Sequence, residues 1–99
     1  MNLYNIFENI KFTEEKEIEE IIFENKKIKI TRILSLEQIT EEMAENNLEI
    51  VLVASGSAEI LINKEKIILK KGDVLPIPAK TPHKILKQDH VIWYCVFAK

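Results

Sequence analysis

Two glycines among 99 residues leave no glycine-rich loop able to wrap backbone N–H groups around a phosphate. One cysteine excludes an internal disulfide and any Cys-x-x-Cys motif, and no Ser-His-Asp order suggests a hydrolytic triad. No apolar run approaches the roughly 18 residues that a membrane-spanning helix requires, so no membrane partner is expected. The opening residues Met1 to Asn5 lack the basic-then-apolar pattern of a secretory leader, which makes the cytoplasm the expected compartment. Positive charge is also thin. The net charge is −2, a single arginine accompanies 13 lysines, and no segment gathers them into a stripe free of acids, so nucleic acid is not an expected partner.

What is present suits one globular domain over residues 1–99. Hydrophobic residues make up 46% and charged residues 30%, enough apolar surface for a core and enough charge for solubility. Seventeen isoleucines favour pleated strands, where the stiffness of a β-branched side chain costs little. Two strands are expected over 18–24 and 28–34 around the polar turn Asn25-Lys26-Lys27, the second with the alternation of a half-buried strand. Residues 48–53 form a nearly continuous apolar run. Ser55-Gly56-Ser57 then reads as a turn into a hairpin partner over 58–62, and Asn63 to Lys66 turns the chain into 67–69. Lys71-Gly72-Asp73 makes a further turn before 74–77, and 91–97 is a closing apolar strand. This rhythm of strands and turns about every ten residues predicts an all-β sandwich or barrel.

Leu3, Ile6, Phe7 and Ile10 have a helical spacing and predict a short helical turn on the outside of the barrel. Residues 37–44 are expected as loop or strand. The acidic stretch Thr13 to Glu20 reads as a solvated segment.

The chain from Ile39 to Leu86, and more loosely from Ile28 to Phe97, resembles the small single-domain cupins. Two motifs carry the likeness. Glu49 and Gly56 have the spacing that ends the first cupin motif, and Gly72, Pro78 and His83 have the spacing of the second. Gly72-Asp73-Val74-Leu75-Pro76-Ile77-Pro78-Ala79 and Ile92-Trp93-Tyr94 agree with family habits as well. The resemblance implies a double-stranded β-helix, or jelly-roll barrel, and a metal held by histidines and a glutamate. The chain departs from that pattern: Met43 and Glu45 stand where the two first-motif histidines are expected, Glu37 replaces the first glycine, and Lys80 follows Pro78-Ala79.

Only His83 can then offer an imidazole. With Glu45 and Glu49 it would form a set of two carboxylates and one imidazole, suited to an ion such as Mn²⁺ more than to Zn²⁺, Fe²⁺ or Ni²⁺; a divalent metal is the only cofactor class implied. Glu45 and Glu49 would share a strand face if no bulge intervened, and Met43 would share it too. Alternatively, Glu49 and His83 form a buried hydrogen-bonded pair that needs no metal, the imidazolium offsetting part of the desolvation. Pro82 restricts the approach to His83 in either case.

Cys95, within an apolar strand, is expected in the core. His90 is expected in a surface loop. Trp93 and Tyr94 alternate, so one faces the interior and one the exterior.

Three functions are compatible with these residues. The first is small-molecule binding in the barrel mouth between Met43, Glu45, Glu49, His83 and Trp93. The second is a metal-dependent oxygenase or isomerase using Glu45, Glu49 and His83. The third is a structural module with a vestigial pocket. A homodimer through edge strands is expected, because an open sheet edge invites pairing with its copy.

Overall fold

Isoleucine-rich alternation becomes six strands in the computed structural model, which describes residues 2–99. They are β1 (Ile18–Glu24), β2 (Ile28–Ser35), β3 (Glu49–Ile62), β4 (Glu65–Lys70), β5 (Val74–Ile77) and β6 (His83–Ala98). All pairings are antiparallel, in the order β1-β2-β6-β3-β4, with β5 also on β3.

Two long strands organise the molecule. β3 runs beside β6 from Glu49 opposite Phe97 to Ile62 opposite His83. The first half of β3 takes β5 on its other side and the second half takes β4. The later half of β6 takes β2, while its first half is flanked by residues 40–43. Both long strands thus contribute to two layers that enclose one interior, a jelly roll of the double-stranded β-helix type.

The corner between the layers sits at Gly56, where the register against β6 shifts between Val53 and Ser57. Gly56 has φ +87°, and a Cβ there would lie 2.3 Å from the His90 carbonyl oxygen, so only glycine lets the two backbones approach this closely. The bulge also changes the inward parity of β3: Val51 and Val53 are buried before it, Ala58, Ile60 and Ile62 after it. With Leu69, Ile77, Ile85, Val91, Trp93 and Cys95 these residues form the interior core.

A second cluster covers the outer face, where Leu34, Ala54 and Ile92 meet Ile6, Phe12, Ile18 and Leu52. Its polar anchor is Arg32, only 2% exposed. The guanidinium donates to the carbonyls of Ile6 (3.1 Å), Glu8 (2.6 Å) and Asn9 (3.4 Å) and to the Glu20 carboxylate, with the Tyr4 ring 5.3 Å away.

This arrangement corrects the expected N-terminal helix. Residues 6–9 form a turn and bend, and the described residues contain no helix at all, hence none long and apolar enough to cross a membrane. Arg32 takes the carbonyls that a helix would use internally, and Asn9 lies in the left-handed region at φ 53°. Ile6 packs on the outer face as expected, whereas Leu3 and Phe7 are exposed.

Two strand boundaries also differ. The Ser55-Gly56-Ser57 segment is a bulge inside one 14-residue strand, so residues 58–62 continue residues 49–53 instead of pairing with them. β6 begins at His83 and not at Val91, because Lys87 to His90 follow the strand round the same corner. His90 is exposed as expected, but within a strand at φ 48° instead of in a loop.

Candidate functional site

Inward parity places Glu49 inside the barrel, between Ile77 on β5 and Phe97 on β6, because it shares a face with Val51 and Val53. His83 opens β6 directly after Pro82. Its backbone exchanges both hydrogen bonds with Met43, at 2.8 and 2.9 Å. The two side chains, first residues of strands far apart in sequence, come together with His83 Nε2 3.6 Å from Glu49 Oε1. His83 is 5% exposed and Glu49 is 7% exposed.

The tautomer follows from the surroundings. His83 Nδ1 lies 2.9 Å from the Thr81 carbonyl oxygen, which can only accept, so Nδ1 carries a proton and donates it. Nε2 is the atom turned toward Glu49. At 3.6 Å the contact is an ion-pair distance and not the hydrogen bond that sequence reasoning allowed, and among the described residues Glu49 Oε1 has no hydrogen-bond partner although it is buried. Burial holds the Glu49 carboxyl above its ordinary range; the charge of His83 pulls it down, while Glu45 and Glu19 push it further up.

These groups line a cavity of about 220 Å³ that opens at the barrel mouth. All five residues expected at the pocket border it: Met43, Glu45, Glu49, His83 and Trp93. They do not converge equally. Residues 44–48 form no strand, so the parity argument for Glu45 lacks the regular backbone it needs; Glu45 is exposed and its carbonyl accepts from Lys80 N at 2.6 Å. Met43 is 38% exposed.

A resident metal fits this arrangement poorly. Two donors converge, and among the described residues no group of three or more His, Cys, Asp or Glu side chains is placed to hold an ion. Structural and catalytic centres for Zn²⁺, Fe²⁺ or Mn²⁺ ordinarily use at least three protein ligands.

Sequence reasoning missed the polar network behind the cavity. Trp93 Nε1 donates to Gln88 Oε1 at 3.0 Å, and Gln88 Nε2 donates to the Gln38 carbonyl at 2.6 Å and to Glu17 Oε2 at 3.1 Å. The Ser35 hydroxyl donates to the same Glu17 oxygen. Gln88 is 3% exposed and fully engaged, so it fixes the indole in the cavity wall. Glu17 and Glu19 line the cavity too, although they belong to the stretch expected to be solvated. No local pattern marks them, since Glu17 meets Ser35 and Gln88, and Glu19 meets Lys29, only once the strands have paired. Thr40 also borders the cavity, and its hydroxyl accepts from Ile85 N at 2.8 Å, capping the open side of β6. Cys95 lies in the wall with its thiol pushed well above the ordinary range by burial, as befits a core residue.

Among curated proteins none matches the chain. Solved structures do. A protein from Ralstonia eutropha JMP134, named provisionally as a mannose-6-phosphate isomerase, is 27% identical with a TM-score of 0.94, covering 100% of this chain and 99% of its own. A conserved Streptococcus pyogenes protein of unknown function is 18% identical with a TM-score of 0.85, over 99% of this chain and 87% of its own. A cupin superfamily protein from Desulfitobacterium hafniense DCB-2 is 20% identical with a TM-score of 0.77, over 90% and 82% respectively. The model of the cupin domain matches residues 36–97, well over half of the sequence. With the two motifs brought to one barrel mouth and the family model spanning both, this chain belongs to the cupin family.

Proposed function

We propose that the protein binds a small molecule in the barrel mouth and does so without a three-ligand metal centre. One observation carries this reading: Glu49 Oε1 is buried, lacks a partner and borders an open cavity. A buried carboxylate oxygen left unsatisfied costs about 1–3 kcal/mol, a penalty that a ligand donor would remove. The apolar walls and few polar groups match the usual make-up of a ligand pocket.

Thermal melting of the purified protein against a panel of small metabolites tests it. A ligand at a hundredfold excess over its Kd should add about 2.7 kcal/mol to stability. Glu49→Gln and His83→Ala should each remove that gain; a gain that survives both changes places the ligand elsewhere.

A second reading, a metal-dependent enzyme of oxygenase or isomerase type using Glu45, Glu49 and His83, is favoured by the name of the Ralstonia protein. It requires Glu45 to turn inward on metal binding. Chelator-stripped protein should then be stabilised by Mn²⁺, Fe²⁺, Ni²⁺ or Zn²⁺ at micromolar concentrations, and absence of any such shift rejects it.

A further inference from the structure

We infer that the cavity takes a small organic cation, a primary ammonium on a short alkyl chain, held between Glu49 and His83. The inference rests on the small-molecule reading above and adds the charge and chemical class of the ligand. The first ground is the imbalance of charge in the lining: Glu17, Glu19, Glu45 and Glu49 all border the cavity, and among the described residues His83 is the only basic one that does. Glu19 has Lys29 at 3.4 Å, and Glu17 is engaged by Ser35 and Gln88, but Glu49 Oε1 has no donor among the described residues. An anionic ligand, a sugar phosphate included, would enter against these carboxylates.

The second ground is the pattern of hydrogen-bonding groups. Nδ1 is committed to the Thr81 carbonyl, which leaves Nε2 as the ring atom turned toward Glu49 and, in the neutral ring that a bound cation would select, an acceptor. Glu49 Oε1 is an acceptor as well, and the two atoms lie 3.6 Å apart. Neither satisfies the other. A nitrogen carrying several N–H groups reaches both; an alcohol has one donor for two acceptors, and a carboxylate has none.

The third ground is the wall. Val51, Ile60, Ile77 and Ile85 provide an apolar lining for an alkyl chain, and the Trp93 indole adds an aromatic group that attracts cations. At about 30 Å³ per water-sized group, 220 Å³ holds about seven, which limits the chain to a few carbons.

Trp93 is the only tryptophan, so its emission reports on the cavity directly. The full chain should be titrated with n-butylammonium, n-butanol and butyrate in buffer containing a chelator, reading melting temperature and Trp93 fluorescence. n-Butylammonium should raise the melting temperature and shift the emission saturably, while butanol and butyrate at equal concentration do neither. Glu49→Gln should weaken the ammonium response about tenfold or more, as loss of a charge-assisted hydrogen bond predicts, and the exposed control Glu65→Gln should leave it unchanged. The melting curve of each variant alone establishes that it is folded. An equal or stronger response to butanol or butyrate, or an ammonium response unaltered in Glu49→Gln, overturns the cation while leaving the pocket intact. Silence toward all three probes overturns the cation, and silence toward the metabolite panel as well removes the pocket. A Zn²⁺ or Mn²⁺ response without chelator that His83→Ala abolishes, in protein indifferent to n-butylammonium, replaces the organic cation with a metal.

Discussion

Glu49 binds its proton more firmly in the folded chain than its ordinary value of 4.5 would allow, because burial penalises its charged form. Between 4.5 and that raised value the folded state holds more protons than the unfolded state, so stability from this group is full below 4.5 and is lost as pH rises through the folded value. Urea melts from pH 4 to 8 should therefore show a decline in the parent protein that Glu49→Gln flattens, with the variant about 1 kcal/mol more stable at neutral pH. A variant that is less stable at every pH would show that the carboxylate serves folding. Glu49 and His83 were legible through the resemblance to the two cupin motifs, in which each stands at a set spacing from a glycine. Arg32, Glu17 and Gln88 were not. A lone charged or amide residue in an alternating strand reads as surface, and only the pairing of remote strands reveals what covers it.

At the level of elements, the corner and the N-terminal strap make opposite demands. At the corner, Gly56→Ala would press a methyl group into the His90 carbonyl and hold a side-chain-bearing residue at φ +87°, so a loss of about 3 kcal/mol or more is expected in chemical denaturation. Gly72→Ala is the matched control: its φ is +91° but nothing lies within 4 Å of the new methyl, so only the conformational cost of about 1–2 kcal/mol should appear. On the strap, Arg32→Ala should remove the donors that gather residues 6–9, destabilising the protein by about 2–4 kcal/mol and opening the half-buried Phe12 to chymotrypsin before the barrel unfolds. Unchanged cleavage would mean that Ile6 and Phe12 hold the strap by packing alone. Strand identity was readable from alternation in each of these regions. Continuity was not, because glycine in a strand bend and glycine in a tight turn look alike until the opposite strand is known.

For the molecule as a whole, the strand order leaves β1 and β4 as its outer edges. β1 carries Ile21 and Phe23 at 55% and 50% exposure along an edge with no strand beyond it. We propose that this edge pairs with its copy in a homodimer. Light scattering after size exclusion should give twice the chain mass of 11.5 kDa, and Phe23→Lys should halve it; a monomer at high micromolar concentration rejects the proposal.

The passage of β3 and β6 through both layers has a consequence for how the protein comes apart. The two layers share both long strands, so peeling one layer away pulls β3 and β6 out of the ladders they make in the other. Amide protons in β2 and β4, on opposite sides of the β6–β3 pair, should exchange with deuterium through a common global opening, with similar protection and a shared response to denaturant.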